Sequence, residues 1–91
     1  MYKVILACKG VPPGLGPAAA VDICEEFSHR QWHQNVHCEW DQTQLLLHAE
    51  NDWDADAKAL IDEFSDAISA CVPGTFGYNI EIVSIADSSV T

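Results

Sequence analysis

Positive charge is scarce in this sequence of 91 residues. Four lysines and arginines stand against 14 aspartates and glutamates, which gives a formal net charge of -10 at pH 7. A chain with this charge repels nucleic-acid phosphates and anionic lipid headgroups, and no cluster of basic residues offsets the average. We therefore predict no nucleic-acid partner and no membrane partner.

Long apolar segments are missing as well. Apolar residues make up 48% of the chain, yet no run of them approaches the roughly 20 residues that cross a bilayer. The apolar stretch near the N-terminus, residues 4–8, is too short for a signal peptide. The composition still offers enough apolar side chains to fold. We expect a cytoplasmic single domain, with an ordered core over about 2–86 and a tail over 87–91.

The four cysteines contain no Cys-x-x-Cys spacing, which excludes zinc ribbons and thioredoxin-type redox sites. In a reducing compartment we expect free, mostly buried thiols that pack as small apolar groups. Cys8, beside Lys9, is the candidate for an activated thiolate, but no histidine lies near it in the chain to act as a base. We predict a non-enzymatic protein and leave the reactivity of Cys8 open.

Hydrophobic periodicity indicates the element order βαββαβ. Strands are predicted over 2–8, 36–40, 45–49 and 78–85, with a first helix over 18–34. The second helix is capped by Asp52 or Asp54, carries the clearest apolar stripe and ends at Pro73-Gly74. Two amphipathic helices covering one face of four antiparallel strands predict an α+β fold, the ferredoxin-like α/β plait with strand order 4-1-3-2. Another four-stranded α+β arrangement is the alternative.

The hairpin alternation predicts which side chains face the helices. The expected cross-strand pairs on that side are Trp40–Leu45, Cys38–Leu47 and Val36–Ala49. The opposite face then has no helix over it and carries more aliphatic surface than an open face needs. Such a patch typically marks an interface, although isolated surface aliphatics are also ordinary. We predict a homodimer or a protein partner on this face, through Ile5, Ala7, Leu46, Val83 and Ile85.

Two histidine pairs are candidate sites for a divalent transition metal. His37 and His48 are predicted to lie directly opposite each other on the open face, with Glu39 and Asp41 further along it. His29 and His33 are four residues apart on the predicted solvent side of the first helix. In both cases the alternative is a pair of ordinary surface side chains. No other cofactor is predicted.

The glycine- and proline-rich segment 8–17 joins the first strand to the first helix. Backbone N–H groups at a helix start can hold an anion, and glycines allow close approach. A nucleotide P-loop is excluded because Gly-Lys-[Ser/Thr] is absent. The alternative is a rigid crossover loop. The candidate ligand-loop residues are Lys9, Gly10, Gly14 and Gly16.

A local resemblance appears in the same segment. Pro13-Gly14-Leu15 after a first strand, followed by a helix and by Asn35-Val36 at the second strand, resembles ACT-type regulatory domains. In that family the corresponding loop binds an amino acid at a dimer interface. This chain departs from the pattern, because Gly16-Pro17 is extra and the acidic residue before Pro-Gly is missing.

These observations lead to one main functional hypothesis. We expect a small non-enzymatic domain that binds a protein partner or a small ligand and self-associates through the open sheet face. One alternative is a metal-handling or redox protein that uses the histidine pairs. Another is a regulatory module that binds an amino acid or an anion through the glycine- and proline-rich loop.

Overall fold

The computed structural model of the chain describes residues 1–72 and 77–87. The order of its elements confirms the predicted βαββαβ pattern. No helix within the described ranges is long and apolar enough to cross a bilayer. The elements are β1 (Tyr2–Lys9), a 3-10 turn (Pro13–Leu15), α1 (Gly16–Phe27), β2 (Gln34–Trp40), β3 (Gln44–Asn51), α2 (Lys58–Cys71) and β4 (Asn79–Asp87).

The strands form one antiparallel sheet in the order β2-β3-β1-β4, which is the predicted order counted from the other edge. The hairpin register is also as predicted at Trp40–Leu45, Cys38–Leu47 and His37–His48. The ladder is irregular between Gln34 and His37, where we expected Val36 opposite Ala49. The hairpin pairing is therefore regular near its turn and interrupted at its far end.

Both helices pack against the same face of the sheet. Their apolar stripes and the inward side chains of three strands form a single buried cluster, and burying one large aliphatic or aromatic side chain stabilises the fold by about 1.5–3 kcal/mol. The helices contribute Ala19, Ala20, Ile23, Phe27, Leu60, Phe64, Ala67 and Ile68, and the strands contribute Val4, Leu6, Cys8, Cys38, Leu45, Leu47 and Ala49.

Helix α1 is shorter than predicted and ends at Phe27 rather than near Gln34. The Arg30 side chain donates a 2.9 Å hydrogen bond to the Glu26 carbonyl in the last turn of the helix, where i→i+4 backbone donors run out. The chain then turns back, so that the ring of His33 lies 5.9 Å from that of Phe27. His33 is buried, which corrects its predicted position on the solvent side of a helix.

Strand β4 begins at Asn79 and continues to Asp87, two residues beyond its predicted end. A β-bulge shifts its pairing with β1 between Ile5 and Leu6 and leaves Val83 as the extra residue. One extra residue reverses the alternation of the side chains that follow it. Ile85 consequently lies opposite Val4 and packs against the core, so its predicted place on the open face is wrong.

The start of α2 depends on a buried carboxylate. Ala57, at φ 62°, precedes the helix, and the Asp54 carboxylate accepts hydrogen bonds from the backbone N–H groups of Ala59 (3.3 Å) and Leu60 (3.0 Å). Asp54 is therefore the capping residue of the two that we predicted, although it lies upstream of the usual cap position. The predicted stop at Pro73-Gly74 lies outside the described residues.

Candidate functional site

The sheet face turned away from α1 and α2 is the predicted open face. Alternation along β1 places Ile5 and Ala7 on it, and the register sets Leu46 opposite Ala7. Ile5 and Leu46 are half-buried, whereas Ala7 is only 2% exposed. We define the open face by the outward residues Lys3, Ile5, Ala7, His37, Glu39, Leu46, His48, Glu50, Glu81 and Ser84.

The apolar part of this face is smaller than predicted. Ile5, Ala7 and Leu46 form its centre, and Ile85 belongs to the core side. Val83 is 56% exposed at the bulge of the edge strand β4. Ionisable side chains surround the aliphatic centre, so the face combines a small apolar patch with a polar rim.

The structure brings His37 and His48 together on this face. Their ring centroids are 5.8 Å apart. Glu39 joins them, with its carboxylate oxygens 3.5 Å from Nε2 of His37 and 3.4 Å from Nε2 of His48. These are ion-pair distances, and within the described part of the chain Nε2 of His48 is buried without a hydrogen-bond partner.

Asp41 does not join this histidine pair. Its carboxylate accepts hydrogen bonds from the Thr43 backbone N–H (3.0 Å) and the Gln44 side-chain amide (3.0 Å) in the β2–β3 turn. These bonds, the one from the Thr43 backbone first, lower the pKa of Asp41 to about 2. Among residues 1–72 and 77–87, no three His, Cys, Asp or Glu side chains are arranged to hold a metal ion. Metal binding at His37 and His48 stays a prediction without a third ligand to support it.

A small pocket opens beside His48, where the β2–β3 ladder is irregular. Its volume is about 150 Å³. Asn35, at φ 51°, lies at the irregularity and donates a 2.9 Å hydrogen bond to the Glu50 carboxylate. Strict alternation does not predict such an interruption, so sequence reasoning missed the pocket. Its lining residues are Lys3, Val4, Ile5, Asn35, His48, Ala49 and Glu50.

Two glycines of the glycine- and proline-rich loop pack closely against other parts of the chain. A Cβ atom at Gly16 would lie 2.3 Å from the Trp40 indole, and one at Gly10 (φ 101°) would lie 2.4 Å from the Gly77 carbonyl oxygen. Lys9 forms a 3.2 Å ion pair with Glu81. These contacts favour the rigid-crossover interpretation, and ligand binding by this loop stays a prediction.

The four cysteines are free thiols. Burial raises the pKa of Cys8 to about 11 and, as the largest cause, that of Cys38 to about 12. Burial also raises the pKa of Cys71. A reactive cysteine needs the opposite shift, because the thiolate is the nucleophile. The position of Cys8 beside Lys9 and a helix start therefore does not activate it.

The second histidine pair is not brought together on a helix. His29 is exposed and lies beyond the end of α1, whereas His33 is buried in a polar cluster that sequence reasoning missed. Nε2 of His33 bonds to the Glu63 carboxylate, and Nδ1 lies 3.4 Å from the side-chain amide nitrogen of Asn51. The prediction of a metal site at His29 and His33 required both residues to lie on one face of α1. Because α1 ends at Phe27, the structure does not support that arrangement.

The tautomer of His33 follows from Asn51. The Asn51 side-chain oxygen accepts hydrogen bonds from the backbone N–H groups of Trp53 (3.2 Å) and Asp54 (2.8 Å), which fixes the orientation of its amide. The amide nitrogen then donates to Nδ1 of His33, so Nε2 carries the proton that is shared with Glu63. Both ring nitrogens of His33 are therefore engaged by neighbouring side chains.

Comparison with known proteins adds no functional residue to this geometry. The candidate functional features of the molecule are therefore the open face, the pocket beside His48 and the cluster around His33. No protein-family model matches the chain, and no curated protein or solved structure is significantly similar to it.

Proposed function

We propose that this chain is a small, non-enzymatic domain of the ferredoxin-like plait type that associates with a second copy of itself through the open face. The element order, the strand order and the packing of both helices on one side support the plait assignment. The observation that carries the functional proposal is the pair of half-buried aliphatic side chains Ile5 and Leu46, which lie beside the buried Ala7 on a face that neither helix covers.

The distribution of charge favours a second copy as the partner. A two-fold interface pairs a surface patch with itself, so the patch must carry groups that complement one another. The rim of the open face supplies Lys3 together with the carboxylates of Glu39, Glu50 and Glu81. Lys3 of one copy can thus meet a carboxylate of the other while the aliphatic centres pack together.

The net charge of -10 opposes this association at long range. Two copies repel each other, and dissolved salt screens the repulsion within about 8 Å at physiological ionic strength. Burial of the aliphatic centre is much less sensitive to salt. The dimer should therefore become tighter as ionic strength rises from low to moderate values, the reverse of an interface driven by opposite net charges.

The raised pKa values of Cys8 and Cys38 and the occupied ring nitrogens of His33 support the non-enzymatic part of the proposal. A cysteine nucleophile must ionise to the thiolate, and a histidine base needs a ring nitrogen that is open to the proton it takes. Their surroundings instead suit structural roles in the core and at its edge.

Sedimentation equilibrium tests the dimer with two variants that add the same charge. Ile5→Glu places a carboxylate in the centre of the open face, whereas Val21→Glu places one on a 67% exposed position of α1, on the covered side of the sheet. We expect the native chain and Val21→Glu to be dimers at moderate salt and Ile5→Glu to be a folded monomer.

A monomeric native chain at high concentration and moderate salt would contradict the proposal. So would equal dissociation of the two variants, because added charge rather than the open face would then be the cause. Far-ultraviolet circular dichroism checks that Ile5→Glu keeps its secondary structure.

A further inference from the structure

Two half-exposed tryptophans lie on a surface separate from the open face. Trp32 is 52% exposed and Trp53 is 50% exposed, in the two segments that lead into β2 and α2. Both rings contact the buried imidazole of His33, with centroid distances of 6.2 Å for Trp32 and 5.9 Å for Trp53. The two indoles therefore lie within reach of one peptide segment. We call Trp32 and Trp53 the indole pair.

Contacts with the His33 cluster hold the indole pair in place. The indole N–H of Trp32 donates a 2.9 Å hydrogen bond to the Glu63 carboxylate. The Trp53 ring stacks on His33 with an interplanar angle of 29°, and its backbone N–H is bonded to Asn51. Binding to rings that are already ordered costs little conformational entropy, which is why fixed aromatic side chains are common anchors of interfaces.

The charges near the indole pair select a cationic ligand. Asp52 and Asp56 are exposed on the segment that carries Trp53. The positively charged Lys58 follows on the same segment, with its Nζ 3.9 Å from a carboxylate oxygen of Asp56. The Arg30 guanidinium is already engaged, 3.6 Å from Glu63 and 5.1 Å from the centre of the Phe27 ring. The faces of indole rings attract cations, and the net charge of -10 adds long-range attraction.

We propose that the indole pair is a docking site for a cationic segment of a partner protein, with arginine as the preferred side chain. A guanidinium stacks on an indole face while keeping its N–H groups free to bond to the carboxylate of Asp52. The site goes beyond self-association, because the indole pair and the open face share no residue. Each can be tested while the other is intact.

The probe is an arginine-rich peptide, with the same peptide carrying citrulline in place of arginine as its neutral control. Both are titrated into the native protein while the indole N–H resonances of Trp32 and Trp53 are followed by NMR. We expect saturable shifts of both resonances, binding at least tenfold weaker for the citrulline peptide, and a loss of affinity as salt is added.

Three variants locate the binding. Trp53→Leu keeps apolar bulk and removes the ring, so we expect affinity for the arginine peptide to fall at least fivefold. Asp52→Asn should weaken binding by a smaller factor and stays informative if Trp53→Leu fails to fold. Val21→Ala, at an exposed apolar position on α1, should leave affinity unchanged.

Equal binding of the two peptides would overturn the proposal, as would arginine-peptide binding that is unchanged in Trp53→Leu and Asp52→Asn. Saturable shifts confined to open-face residues would also overturn it. Shifts of the indole resonances with a neutral oligosaccharide but not with the arginine peptide would show that the rings serve another class of ligand.

Discussion

The two faces of the sheet differ most clearly at two adjacent leucines of β3. Leu47 points toward the helices and is fully buried, whereas Leu46 points to the open face and is half-buried. Side chains alternate along a strand, so identical residues one position apart have different neighbours. On the covered face leucine stabilises the fold, and on the open face we propose that it serves association. Hydrophobicity alone therefore does not tell a core residue from an interface residue.

The largest expected effect tests this contrast directly. Leu47→Ala leaves a cavity under the helices and should lower the free energy of unfolding by about 2–5 kcal/mol. Leu46→Ala should lower it by less than about 1 kcal/mol, since water already reaches this side chain. Urea denaturation at low protein concentration measures both values without a contribution from dimerisation. Equal losses would mean that something covers the open face as thoroughly as the helices cover the other one.

A loss of stability of intermediate size is expected where the start of α1 packs closely against the covered face of the sheet. Gly16→Ala introduces a methyl group into the Trp40 ring and should destabilise the protein by about 1–3 kcal/mol, the usual range for overpacking. Gly14→Ala is the matched control, because no described atom lies within 4 Å of the added methyl group. Thermal unfolding compares the two. A neutral Gly16→Ala would show that Trp40 does not rest on the helix.

The smallest effect concerns the turn that sets the register of both faces. The hydrogen bonds to the Asp41 carboxylate lower its pKa to about 2, so its stabilising effect is complete above the unfolded-state pKa and is lost as pH falls toward 2. Asp41→Asn should remove this part of the pH dependence of the free energy of unfolding, and near pH 2 the variant and the native chain should have similar free energies of unfolding. Urea denaturation from pH 6 down to pH 2 measures it. Parallel profiles for the native chain and the variant would contradict the role of Asp41.

Local patterns predicted the parts of the candidate site that depend on regular alternation. His37 lies opposite His48, and Ile5, Ala7 and Leu46 share the open face, because the β1–β3 pairing is regular throughout and the β2–β3 pairing is regular from His37 to Trp40. The errors fall where regularity stops. Ile85 was placed on the wrong face because a bulge has no periodic signature.

The wrong prediction for the position of His33 has a different cause. The helical pattern of the first helix can be extended past Phe27, and on that extension His33 faces solvent. Burial of its ring beside Trp53 and its bond to Glu63 involve segments that are distant in the chain. Sequence reasoning also passed over Trp32 and Trp53, since an isolated tryptophan is more often a core residue than an exposed anchor.

Amphipathic periodicity in the chain by itself determined the element order and which face of β1 and β3 the helices cover, and the right-handed crossovers of that element order determined the strand order. The element order and the covered face follow from burying one apolar stripe per helix and one apolar side per strand. Tertiary structure alone decided the end of α1, the bulge at Val83 and the cluster around His33. There, contacts between distant segments outweigh local preference, and the exposed indole pair lies at one of these places, against His33.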